Sequence, residues 1–144
     1  MSILERKESD VPIFENADVM KGLFGELWTK MINETEFGSK LKENGITILF
    51  RIKDPEVLMF VDENGPLFGE EAEPKVPVVT MIMDGNTVHG FWLRQVNIPK
   101  ALALRQIKAK GPVGKVLQIL PLVKPGYQMY PTLCRKHGIP LNVE

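Results

Sequence analysis

The chain has 144 residues, 44% of them hydrophobic, with 18 basic and 18 acidic side chains, which fits one ordered domain around one core. Its formal charge of zero supplies no overall basic field for nucleic acid and no polybasic anchor for an anionic bilayer. One cysteine, Cys134, excludes an internal disulfide and a cysteine-rich metal site.

Residues 1–14 mix charge with Pro12 and show no sustained period, so a loosely held arm is expected there. Glu5, Lys7 and Glu8 stand where a secretory signal needs an apolar core. No run approaches the roughly 18 apolar residues of a membrane span. The last residues, Leu141-Asn142-Val143-Glu144, are not the Ser-Lys-Leu address of a peroxisome. A reducing, cytoplasmic location is expected.

A helix is predicted over 18–34, because Met20, Leu23, Phe24, Leu27, Trp28, Met31 and Ile32 recur in steps of three and four. Asp18 is its expected N-cap. A second short helix, Thr35 to Glu43, should end at Asn44-Gly45, where glycine supplies a positive φ. The period then becomes two. Ile46, Ile48, Phe50 and Ile52 share one face of a strand, Asp54-Pro55 turns the chain, and Glu56–Val61 returns as a strand apolar on both faces. Asn64-Gly65 signals another turn, Leu67 and Phe68 a short strand, 69–75 an acidic loop, and Val76–Met83 a further strand.

After Asp84-Gly85-Asn86 the spacing of Val88, Phe91 and Trp92 is helical again. Pro99 opens a short helix, Arg105–Lys110 alternates as a strand, and Gly111-Pro112 starts a helix striped by Val113, Val116, Leu117 and Leu120, with Pro121 kinking or ending it. From Pro125 on, an irregular tail is expected, with Tyr127, Met129, Tyr130 and Leu133 available for packing. This order implies an α+β domain with a mainly antiparallel sheet.

Little in the chain points to catalysis. Gly111-Pro112-Val113-Gly114-Lys115 has the wrong glycine spacing for a phosphate loop, and Val116 follows the lysine where a magnesium-binding hydroxyl belongs. Cys134 and His137 lie three apart beside Arg135 and Lys136, cations that lower a thiol pKa. No orienting Asn or Asp accompanies them, so a surface tail with an incidental thiol is expected. His89 reads as a helix-face residue. Two histidines in distant segments predict neither a metal nor a cofactor. Glu70, Glu71 and Glu73 lack the alternating oxygens of a calcium loop.

Two segments carry a family likeness. Val79, Thr80, Met81, Ile82 and Met83 form a strand, Phe91 and Trp92 a helix face, Asn97 and Ala101 a short motif, and Ile107, Lys108 and Gly111 a closing strand. With this spacing, residues 39–123 resemble the sterol carrier protein family of non-specific lipid-transfer domains. Pro99 lies one position later than that family's proline, and Arg105 stands where a glycine is common.

The resemblance implies a five-stranded, mostly antiparallel sheet covered by helices, enclosing an apolar tunnel for fatty acyl chains, acyl-CoA, phospholipid or sterol. The 144 residues are expected to form one such domain, the 18–34 helix and the 124–144 tail being additions to it. The expected lining is Phe50, Leu58, Phe60, Met81, Met83, Phe91, Trp92, Leu102, Val116, Leu117 and Leu120, with methionines adapting to irregular ligands. Lys108, Lys110 and Lys115 are candidates for an acidic head group, or simply solvated charges. The expected function is lipid binding without catalysis, without nucleic acid and without stable membrane insertion. A homodimer and transient membrane contact stay open. The alternative is the same fold with a filled interior, serving as a dimerisation or accessory module.

Overall fold

The structure is a computed structural model that describes residues 12–141. Its elements are α1 (Ala17–Glu34), α2 (Phe37–Asn44), β1 (Ile48–Lys53), β2 (Val57–Asp62), β3 (Gly65–Phe68), a 3-10 turn (Gly69–Glu71), β4 (Val79–Asp84), α3 (Gly85–Trp92), α4 (Ile98–Ala103), β5 (Lys108–Lys110), α5 (Val113–Leu122) and α6 (Lys124–His137). The five strands form one sheet in the order β3-β2-β1-β4-β5. Only β1 and β4 pair in parallel; the other three pairs are antiparallel. The fold is α+β.

The register assigns the two faces. Phe50 stands opposite Met59 on β2 and Met81 on β4, so these three point to the same side. Leu49 stands opposite Phe60 and Thr80, and Arg51 opposite Leu58 and Ile82, on the reverse side. The first face carries the main core. Against it α1 lays the stripe Met20, Leu23, Phe24, Leu27, Trp28 and Met31, all buried. The reverse face holds a smaller cluster in which Leu49 and Phe60 pack on Ala72, with Leu58 and Leu67 at its margin.

Local signals explain most boundaries. Asn16, rather than Asp18, caps α1, its side chain accepting from the Val19 amide at 2.9 Å; Asp18 lies in the first turn, where a carboxylate suits the positive end of the helix dipole. Gly45 ends α2 at φ 61, as its position after Asn44 predicts. Asp84 and Asn97 cap α3 and α4 through the amides of Thr87 and Lys100.

At the two ends of the chain the expectations also fail. Most of the arm expected over 1–14 lies outside the described residues, but its end is not loose: Phe14 is buried, and the Ile13 amide donates to Asn86 Oδ1 at 2.8 Å. The expected irregular tail is largely the 14-residue helix α6. Gly126, Tyr130, Leu133 and Cys134 form its buried stripe at helical spacing, which outweighs the poor helix propensities of Pro125, Gly126 and Pro131. Arg135, Lys136 and His137 fill its last turn, at the negative end of the dipole. There Lys136 and His137 bond to Glu26 of α1 at 2.8 and 2.9 Å, and these two neighbours hold the Glu26 carboxyl below the usual carboxylate range.

Candidate functional site

A cavity lies between the core face of the sheet and the helices. Phe50 of β1 and Met81 and Met83 of β4 form its floor, Trp28 of α1 one wall, and Val88, Phe91 and Trp92 of α3 another. Ile98 at the start of α4, Val116, Ile119 and Leu120 from α5, and Val123 between α5 and α6 complete it. Every lining residue is apolar or a tryptophan, and no titratable group is among them. Trp28 organises the deep end, with ring centroids 5.4 Å from Trp92, 5.5 Å from Phe37 and 5.7 Å from Phe50. Its Nε1 is the one buried side-chain polar atom without a hydrogen-bond partner among the described residues.

Of the expected lining, Phe50, Met81, Met83, Phe91, Trp92, Val116 and Leu120 come together here. Leu58 and Phe60 do not. They lie on the reverse face of the sheet, as strand alternation requires once Phe50 faces inward. Leu102 and Leu117 line a neighbouring groove with Ile107, Val113 and the shared residue Val116. The expected stripe of Val113, Val116, Leu117 and Leu120 is not the inward one: Val116 and Ile119 are buried, whereas Val113 and Leu117 are exposed. The helix is apolar nearly all round, so its sequence does not select the inward face. Trp28, Val88, Ile98, Ile119 and Val123 join the lining without having been expected there; positions 116, 119, 120 and 123 keep helical spacing, but so do 113, 117 and 120, so spacing alone does not mark them.

The three lysines take different places. Lys108 and Lys110 lie on the edge strand β5, both exposed, whereas Lys115 Nζ donates to the Asn44 carbonyl oxygen and so ties α5 to α2. The space itself is small, about 40 Å³, against the roughly 10–15 Å³ that a single water molecule needs. An acyl chain fits only after the lining parts.

The thiol and histidine candidates are placed apart from this cavity. Cys134 is buried, not on a surface tail. Burial pushes its thiol up to about 11, outweighing the hydrogen bond with Tyr130 and the charge of Arg135, so it is not a thiolate at neutral pH. His137 is engaged with Glu26. His89 is wholly buried rather than on an open helix face. Its Nε2 lies 2.8 Å from the Pro140 carbonyl, which only a ring N–H can satisfy, leaving Nδ1 to accept from the Tyr130 hydroxyl at 2.6 Å. This chain of bonds holds α3, α6 and the segment after α6 together. Among the described residues, no three His, Cys, Asp or Glu side chains gather where a metal ion could sit, and no helix is long and apolar enough to cross a membrane.

The sequence matches no protein-family model and no curated protein. Solved structures do match. The sterol carrier protein domain 2 of Helicoverpa armigera superposes with a TM-score of 0.61 at 19% identity, over 79% of this chain and 91% of that one. Sterol carrier protein 2 from Yarrowia lipolytica, in its apo form, gives 0.59 at 11% identity, over 75% of this chain and 89% of that one. This chain has the sterol carrier protein 2 fold. The short motifs of that likeness are backbone devices in the sterol carrier protein 2-like domain. Asn97 is a helix cap; Arg105, where a glycine is common, sits at φ 61; and at Gly111, with φ 122, a Cβ would overlap the Val78 carbonyl oxygen.

Proposed function

We propose that this chain binds and carries lipid without catalysis, taking a fatty acyl chain, acyl-CoA, phospholipid or sterol between β1, β4, α3 and α5. The observation that carries the reading is the cavity wall, twelve residues with no acid, base or metal ligand among them. Removal from water of one methylene is worth about 0.8 kcal/mol, so twelve supply about 10 kcal/mol before the costs of association. Such binding is indifferent to head-group chemistry, in keeping with a broad lipid class. The fold supports the same reading, since two solved structures that share it are sterol carrier proteins. The buried, unpartnered indole N–H of Trp28 costs about 1–3 kcal/mol, which a ligand oxygen reaching it would offset.

Uptake requires α5 to move, because the present space is about 40 Å³. Only Val116 and Ile119 of that helix are buried, and Pro121 interrupts its backbone bonding. That narrowness also favours the second reading, a filled module of the same fold used for dimerisation or as an accessory subunit. One titration separates them. The chain's only tryptophans, Trp28 and Trp92, both line the cavity, so a delipidated sample is titrated with a fluorescent fatty acid while their emission is followed. Saturable micromolar binding with tryptophan quenching is the expected result. Absence of binding, with a dimer by light scattering, establishes the filled module instead.

A further inference from the structure

The balanced net charge conceals a strong segregation along the chain. Residues 85–143 contain nine Lys and Arg and no Asp or Glu, while 17 of the 18 acidic residues precede residue 85. Within the basic part, apolar side chains are exposed together with cations. Leu104 is 58% exposed, Val113 73% and Leu117 46%. Val113 and Leu117 lie one turn apart on α5 and share a groove with Arg105 and Lys108; Lys110 stands beyond Lys108 on the edge strand. Among the described residues, none of Arg105, Lys108 and Lys110 is in an ion pair.

From this we infer that the α4–β5–α5 edge docks on an anionic lipid bilayer, with Leu104, Val113 and Leu117 entering the head-group layer and Arg105, Lys108 and Lys110 meeting its phosphates. Exposed apolar groups ringed by unpaired cations fit a bilayer better than a nucleic acid, whose surface offers phosphates but no apolar layer. Each cation near an anionic leaflet contributes about 1 kcal/mol. The groove that Arg105, Lys108, Val113 and Leu117 line is about 340 Å³ and shares Val116 with the narrow cavity. A chain leaving the bilayer at this edge therefore has only the Val116 side of α5 to pass. This role as a portal rests on the lipid-carrier reading; the docking does not.

The test uses the full chain in flotation with phosphatidylcholine vesicles and with vesicles containing phosphatidylglycerol as well, at low and high salt. Binding is expected only to the anionic vesicles and is expected to fall with salt. The double variant Lys108→Gln/Lys110→Gln should weaken it about thirtyfold, and Val113→Ser should weaken it while leaving thermal stability unchanged. Fatty acid titration without vesicles should give the same affinity for wild type and all three substitutions. Equal binding to neutral and anionic vesicles, binding to neither, or salt-sensitive binding to RNA alone overturns the docking surface. Vesicle binding without any fatty acid binding keeps the surface and removes the carrier reading.

Discussion

Gly126 of α6 touches the indole of Trp92 so closely that a Cβ at 126 would overlap ring carbon Cζ3 and stand 2.9 Å from Met31 Sδ. The Trp92 ring is held among Trp28, Phe91, Tyr127 and Tyr130 and is a wall of the cavity, so it has little room to give way. Gly126→Ala is therefore expected to destabilise the protein by about 1–3 kcal/mol, the usual cost of overpacking, despite alanine's better helix propensity. Denaturant unfolding reads the loss, and a changed near-UV signal from Trp92 reads its cause. A variant as stable as the parent would mean that α6 does not pack as described.

Arg105 gives a prediction of opposite sign. At φ 61 it occupies the left-handed region, which costs a non-glycine residue roughly 1–2 kcal/mol. Arg105→Gly relieves that strain at some cost in chain entropy, so stability is expected to hold or rise by up to about 1 kcal/mol. Arg105→Val, branched at Cβ, is expected to lower it. Urea midpoints of the two variants should fall on opposite sides of, or at and below, that of the parent; a stable Val variant overturns the backbone assignment.

What was legible in the sequence was what repeats. The α1 stripe, the alternation of β1 and the cap at Gly45 are local patterns, and each element stands where its pattern lies. The β-faces were harder, because Glu56–Val61 is apolar on both sides and gives no parity; only pairing with β1 sends Leu58 and Phe60 away from Phe50. In α5 the apolar ring is nearly continuous, so spacing alone does not single out Val116 and Ile119, the buried pair that borders the cavity with Trp28 and Met81. Helix α6 was masked by two prolines and a glycine, although Tyr130, Leu133 and Cys134 held the period. The burial of His89 was not legible at all, since its partners Tyr130 and Pro140 are 41 and 51 residues away.

Burial of the Cys134 thiol and the Tyr130 hydroxyl makes the protein sensitive to alkali. Both groups are pushed up in the folded state, Cys134 from 9.0 to about 11. A group whose folded pKa is raised contributes stability that is complete below its unfolded pKa and is lost as pH rises through the folded one. Unfolding free energy should thus be insensitive to these two groups below about pH 9 and should fall between about 9 and 11. Cys134→Ala should make that decline shallower. The thiol should also react with Ellman's reagent slowly in the native protein and at once in denaturant. Rapid native labelling at neutral pH would contradict its burial.

The carrier reading is tested most directly by two changes in α5 that alter the cavity in opposite ways. Leu120 is half-buried and borders both the cavity and an outer groove with Phe91, Ile98 and Tyr127, so a larger ring there has room to settle without unfolding the helix. Leu120→Trp is expected to obstruct the space and lower fatty acid affinity about tenfold, or about 1.4 kcal/mol, with little change in melting temperature. Ile119 is buried in the same wall. Ile119→Ala should cost about 2–5 kcal/mol of stability by leaving a void, yet strengthen binding of short acyl chains that occupy it. In that variant, added ligand should restore much of the lost melting temperature, because binding to the folded state alone adds to its stability. If neither substitution changes fatty acid binding, the lipid lies elsewhere on the molecule and the space between β4 and α5 is ordinary core.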